Sequence, residues 1–119
     1  MPSPFARTHP LPGGPPVRLR LARRSDAPAV RDLLAGRGIA ASEVEIARLL
    51  AFDPAARAVI CACAPVDGRE TVVGIGAIDL KAGGEVDTLV IDEARTDGLG
   101  ELLGEVLQRR AEGHASRVA

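Results

Sequence analysis

Arg95-Thr96-Asp97-Gly98-Leu99-Gly100 is the stretch on which the reading of this chain turns. Upstream, Val86 to Ile91 has the composition of a β-strand. Downstream, Leu99, Leu102, Leu103, Val106 and Leu107 recur with a 3.6-residue period that predicts a helix from Leu99 to Glu112, ended by Gly113. A strand that stops, a glycine-bearing turn and a helix that starts make a ready anion site. The first amides of a helix have no internal partner and carry the positive end of its dipole. Glycine lets a phosphate approach the backbone closely, and Arg95 adds a forked cation suited to phosphate oxygens. Taken alone, R-x-x-G-x-G is also what a plain strand-to-helix turn looks like, so the surrounding elements must decide.

Upstream, Gly83-Gly84 reads as a turn, and Thr71 to Leu80 as a strand in which Gly74 and Gly76 mark a bulge or a close contact. Asp67-Gly68 is a hairpin signal, and Ala58 to Ala64 is an apolar strand before it. Asp53-Pro54 closes a helix that opens with the capping box Ser42/Glu45 and turns Ile46, Leu49 and Leu50 to one side. An earlier helix is expected from the N-cap Ser25, with Asp26 in its first turn, an apolar stripe of Val30, Leu33 and Leu34, and a stop at Gly36 and Gly38. Val17 to Leu21 alternates apolar residues with Arg, the pattern of a half-buried strand. Residues 1–16, with six Pro and Gly13-Gly14, are expected to be a disordered leader, which leaves 17–119 as the folded domain. The order strand, helix, helix, three strands, helix predicts an α/β fold of the α+β type, with helices packed on a mixed, largely antiparallel sheet.

Composition narrows the function. With 119 residues the chain is one small domain, and with 2% aromatic residues its core must be built from Ala, Val, Leu and Ile. No apolar run is long enough to cross a bilayer and no secretory pattern opens the chain, so the expectation is a soluble, cytoplasmic protein. Residues 1–37 hold seven Arg against two Asp, whereas the rest carries eight basic and fourteen acidic side chains. The Arg residues are dispersed and no aromatic platform accompanies them, so they read as a solvated basic edge rather than a nucleic-acid site. Cys61 and Cys63 share one strand face, which suits buried thiols and neither a disulfide nor a zinc site. His9 falls in the leader and His114 near the C-terminus, and neither has metal-ligand spacing. Nucleotide P-loop, dinucleotide, zinc-protease and serine-hydrolase motifs are all missing.

Three pieces in order resemble the GNAT superfamily of acyl-CoA-dependent N-acetyltransferases. Val17-Arg18-Leu19-Arg20-Leu21-Ala22 followed by Ser25-Asp26-Ala27-Pro28-Ala29-Val30 looks like the family's opening strand and first helix. Val72-Val73-Gly74-Ile75-Gly76-Ala77 looks like its third strand, and Leu89 to Gly100 like its fourth strand and pyrophosphate loop. The resemblance implies acetyl-CoA as acyl donor, no metal, and an amine acceptor. It implies that the backbone of Leu89 and Val90 pairs with the pantetheine arm, that the Val90 or Ile91 amide faces the reacting oxygen, and that the amides of Arg95, Thr96, Asp97, Gly98, Leu99 and Gly100 hold the pyrophosphate. Three departures stand out. Asp97 occupies a motif position usually basic or small, no Tyr exists to protonate the leaving thiolate, and the family's domain continues for another strand, helix and two strands. Ser116 to Ala119 could open that next strand. The expectation is therefore a member incomplete at its C-terminus, completed by a second copy or a partner chain along an open strand edge.

Acyl transfer to an amine needs a base, an oxyanion donor and an acid. The candidate bases are Asp79, Glu85 and Asp87, which lie near the central strands. Two functions stay open: an N-acetyltransferase, or a non-catalytic module of the same fold that binds CoA or pairs with a partner.

Overall fold

The computed structural model describes residues 5, 7–12, 14–51, 53–81, 85–92 and 96–118, of which 14 and 114–118 are backbone only. Five strands form one antiparallel sheet: β1 (Thr8–Leu11), β2 (Gly14–Leu21), β3 (Arg57–Val66), β4 (Arg69–Asp79) and β5 (Val86–Ile91), in that spatial order. Helices α1 (Ala27–Gly36) and α2 (Glu43–Leu49) join β2 to β3, and α3 (Leu99–Val118) follows β5.

The alternation in β2 sorts the two faces of the sheet. Val17 and Leu19 point into a core shared with Ile60, Val73, Ile78 and the stripe of α3, Leu99, Leu103, Val106 and Leu107. On the opposite face, Val30, Leu33 and Leu34 of α1 and Ile46 of α2 pack on Cys61, Cys63, Val72 and Ile75. The two cysteines are buried on one face, as their spacing requires. Helix α3 lies close on β4 because Gly74 and Gly76 leave room for it. A Cβ on Gly74 would stand 2.8 Å from Leu99 Cδ2, and one on Gly76 2.8 Å from Leu107 Cδ1.

Local signals behave as the residues dictate. The Ser42/Glu45 box forms reciprocally, with Glu45 N–H donating to Ser42 Oγ and Ser42 N–H to Glu45 Oε1, both at 3.1 Å. Asp67 and Gly68 both take positive φ, +51° and +79°, which matches the twist of the β3–β4 hairpin. Gly83-Gly84 lies outside the described residues.

Four expectations are corrected. The proline-rich segment read as a disordered leader contains β1 and the start of β2, with His9 buried opposite Val17. Proline is tolerated there because β1 is an edge strand, and Pro15 and Pro16 precede the part of β2 that pairs with β3. Ser25 does not cap a helix. It sits inside a short 3-10 turn, Arg24 to Asp26, that opens after Arg23, whose N–H donates to the Asp26 carboxylate, and α1 follows from Ala27. Gly113 does not end α3, which runs on to Val118. Nothing crowds Gly113, so it weakens the helix there without stopping it. Residues 116–118 are accordingly helical rather than the start of a strand. Among the described residues no helix is long and apolar enough to cross a membrane.

Candidate functional site

The β5–α3 junction is a crease of about 290 Å³ lined by Ile91, Thr96, Asp97, Gly98, Gly100 and Glu101. Arg95, the cation of the motif, lies outside the described residues. Thr96 is buried and its Oγ1 donates to the Asp92 carbonyl at 2.7 Å, which ties the loop to the end of β5. Gly98 has φ +86°, a left-handed conformation that glycine adopts without a Cβ clash, and Pro12 of the β1–β2 turn packs against it. Leu102 N–H donates to the Gly98 carbonyl at 3.2 Å and closes the first turn of α3. The amides of Leu99, Gly100 and Glu101 precede that bond and have no helical carbonyl to reach. Leu99 is fully buried, and a Cβ on Gly100 would press on Ile91 Cδ1 at 3.1 Å, so the helix start sits tightly against β5.

Strand β5 is the last in the sheet, so one of its sides is unpaired among the described residues. Ladder geometry says which peptides face that side. Asp92 N–H donates to the Val73 carbonyl at 2.8 Å, and peptide directions alternate along a strand. Val90, opposite Ile75, therefore points its peptide inward to β4, while Leu89 and Ile91 point theirs outward. Of the residues expected to meet an extended ligand, Leu89 and Ile91 are the ones whose backbone is offered, and Leu89 is also 44% exposed.

The three carboxylates proposed from sequence collect elsewhere. Asp79, Glu85 and Asp87 stand where β4 ends and β5 begins, about 13 Å or more of strand from Ile91. Asp87 is engaged by Arg57 through two contacts of 2.7 and 3.0 Å, and Asp79 accepts from Lys81 N–H at 2.8 Å. Glu85 is exposed, and its carbonyl accepts from Asp79 N–H. None of the three lines the crease.

A second cavity, of about 450 Å³, opens on the opposite face of the sheet between α1, the β3–β4 hairpin and the end of β5. Its polar wall includes Arg20, Asp26, Asp32, Arg69, Glu70 and Asp92. Arg20 grips Asp26 through contacts of 2.7 and 2.6 Å, and Arg23 N–H adds a third at 2.7 Å. Those bonds, the Arg20 guanidinium first, hold the Asp26 carboxyl below its usual range and raise the pKa of Arg20. Burial, with help from the Asp26 charge, pushes the Cys61 thiol up to about 12, and burial also raises Cys63. Both cysteines are protonated and inert at neutral pH. The residues of this cavity come from three distant segments, so no single stretch of sequence pointed to its full lining. The one local signal was Asp32, which shares a helix face with Ala29, Leu33 and Gly36.

An antiparallel sheet with helices on both faces, and a glycine loop that leads from its last strand into a helix, define the GNAT fold, and the chain has that fold. It is similar to the GNAT domain of S. lividans PAT, with a TM-score of 0.69 and 17% identity over 91% of this chain and 72% of that one. It is also similar to the ribosomal-protein-alanine N-acetyltransferase from Brucella melitensis biovar Abortus 2308, with a TM-score of 0.57 and 25% identity over 83% of this chain and 74% of that one. No protein-family model matches the chain, nor does any curated protein.

Proposed function

We propose that this chain transfers an acetyl group from acetyl-CoA to an amine. The observation that carries the reading is the crease in which Ile91, at the end of β5, meets the turn and the first amides of α3. The residues present fit the group. The amides of Leu99, Gly100 and Glu101, with Gly98 in its left-handed turn, suit a pyrophosphate. Arg95 supplies the motif's cation, and the Leu89 and Ile91 peptides suit the amides of a pantetheine arm. Asp97 and Glu101 also line the crease. Both are exposed; Glu101 lies in the first turn of α3, where the dipole favours a carboxylate, and Asp97 stands in the turn just before it with its charge in water.

Acetyl-CoA would supply the acetyl group already activated as a thioester. The Ile91 amide, facing the open side of β5, is the donor placed for the oxygen of a reacting carbonyl. The positions of Asp79, Glu85 and Asp87 suit a proton-accepting role poorly, because they stand at the other end of β5. A second reading, cofactor binding or partner pairing without transfer, is favoured by the absence of Tyr and by the side of β5 that is unpaired among the described residues.

Thermal unfolding of the chain with CoA, acetyl-CoA and ATP tests the proposal. A ligand at a hundredfold excess over its Kd stabilises the folded state by about 2.7 kcal/mol. The expected result is a rise with CoA and acetyl-CoA, none with ATP, and loss of the rise in Arg95→Ala. No rise with either thioester or thiol would overturn the cofactor site. A rise without release of free thiol in the presence of amines would favour the second reading.

A further inference from the structure

We infer that Pro12, carried on an N-terminal strap, is a positioning residue for the glycine turn of the candidate cofactor site. The inference rests on the acetyl-CoA reading and names what sets that turn from outside its own segment. Strand pairing brings the two within reach. Strands β2, β3, β4 and β5 are successively antiparallel, so the start of β2 and the end of β5 lie at one end of the sheet. Leu11 stands opposite Gly14 across the β1–β2 connection, which places Pro12 at that same end.

The turn is restrained from two directions. From the end of β5, the Asp92 carbonyl accepts from Thr96 Oγ1 at 2.7 Å, and Ile91 Cδ1 stands 3.1 Å from where a Cβ on Gly100 would be. From the strand pair at the opposite edge of the sheet comes Pro12, whose Cδ and Cγ lie 3.4 and 3.9 Å from the Cβ position of Gly98. Gly98, at φ +86°, has no side chain to fix its own backbone, and glycine moves between conformations at little cost. A proline ring has a fixed φ and almost no rotamer freedom, so it makes a stiff wall against that side of the residue. The wall is itself anchored. Phe5 and Leu11 pack on the α3-side core, His9 is buried opposite Val17, and the Arg110 guanidinium lies 5.8 Å from the centre of the Phe5 ring. The stretch from Phe5 to Pro12 therefore spans α3 from its second half to the residue before its start. With Gly98 held, its carbonyl stays in place to accept from Leu102 N–H at 3.2 Å, and the free amides that precede that bond keep their direction.

The test compares Pro12→Ala with Pro10→Ala in the whole chain. Both prolines are exposed and both changes free the unfolded chain alike, but Pro10 lies within β1 and takes no part in the Gly98 contact. Amide hydrogen exchange in the ligand-free chain reads the turn directly, through the Leu102 N–H bonded to Gly98. Pro12→Ala is expected to speed exchange at Leu102 by about fivefold, the scale of one lost small apolar contact, and to leave Leu107 unchanged. CoA binding measured by calorimetry should weaken by a similar factor, and Pro10→Ala should do neither. The urea midpoints of the two variants should agree, which separates positioning from a general loss of stability. The inference is overturned if Leu102 exchange or CoA affinity is unchanged in Pro12→Ala, or if Pro10→Ala has the same effect. It is also overturned if Leu107 exchange and the urea midpoint follow Leu102. Failure of the unaltered chain to bind CoA would remove the cofactor reading and Pro12's role in it, and exchange at Leu102 would then decide by itself whether the strap holds the turn.

Discussion

Replacing Asp26 with Asn tests whether the buried ion pair at the wall of the larger cavity holds the fold together. The carboxylate is 7% exposed and accepts from two Arg20 nitrogens and from Arg23 N–H, all within 2.7 Å. Each hydrogen bond to a charged group contributes about 1.5–3 kcal/mol, and breaking a buried pair costs about 3–5 kcal/mol. Two features reduce that figure. The Arg20 side chain keeps 32% of its surface in water, so its stranded charge is partly hydrated, and an Asn oxygen in the place of Oδ2 can still accept from both Arg20 Nη1 and Arg23 N–H. The expected loss is about 2–4 kcal/mol out of a total of about 5–15. Urea unfolding near pH 7 should show a lower midpoint at an unchanged slope. The acid dependence supplies a second arm. The folded-state pKa of Asp26 is lowered from 3.8, chiefly by the Arg20 hydrogen bond. Its stabilisation is therefore fully present above 3.8 and is lost as pH falls through the lower folded value. The gap between wild type and variant should close in that acid window. A difference below about 0.5 kcal/mol near pH 7, or one that persists undiminished near pH 2, would refute the reasoning.

Gly74→Ala should destabilise the chain by about 1–3 kcal/mol in denaturant unfolding, since the new methyl meets Leu99 Cδ2 at 2.8 Å in a filled core. Because Leu99 begins α3, the same variant should weaken CoA binding, whereas Gly113→Ala, with open space around it, should do neither. Thr96→Val keeps the side chain's shape but removes the hydroxyl that donates to the Asp92 carbonyl. It should cost about 1 kcal/mol by unfolding and lower CoA affinity in the thermal assay. Cys61 and Cys63 should resist a disulfide-exchange reagent in the native chain at mildly alkaline pH and react at once in denaturant. Fast native reaction would contradict their burial.

Much of the fold was legible because its signals are local. The α1 stripe, the Ser42/Glu45 box and Asp67-Gly68 each place the information within a few residues of the structure they make. The prolines of 1–16 misled for the converse reason. Proline excludes a central strand and permits an edge strand, and the edge position of β1 is set by its pairing with β2, which the segment alone does not encode. Ser25 misled because it has the right chemistry for a cap, while the first helical turn already begins one residue earlier at Arg24, with Arg23 N–H donating to the Asp26 carboxylate. The glycines of β4 announced a close contact without naming the partner, since Leu99, Leu103 and Leu107 arrive from a helix more than twenty residues later.

The candidate site divides along the same line. The crease was readable from Arg95 to Gly100, because a strand end, a left-handed glycine and a helix start are consecutive and the free amides of a helix N-terminus follow from backbone geometry alone. Which peptides of β5 are offered was not readable, because it depends on the register that puts Val90 opposite Ile75. The carboxylates chosen as lying near the central strands, Asp79, Glu85 and Asp87, fell at the start of β5, away from the crease, because an antiparallel neighbour brings the end of β4 to the start of β5. The full lining of the larger cavity was not readable, since Asp32, Arg69, Glu70 and Asp92 share no segment and meet only when α1 and the β3–β4 hairpin close on one face of the sheet. Sequence by itself determined most of the elements and the glycine turn that leads from β5 into α3, which are properties of adjacent residues. The tertiary structure decided what faces what, because pairing register and helix packing join residues that the chain keeps far apart.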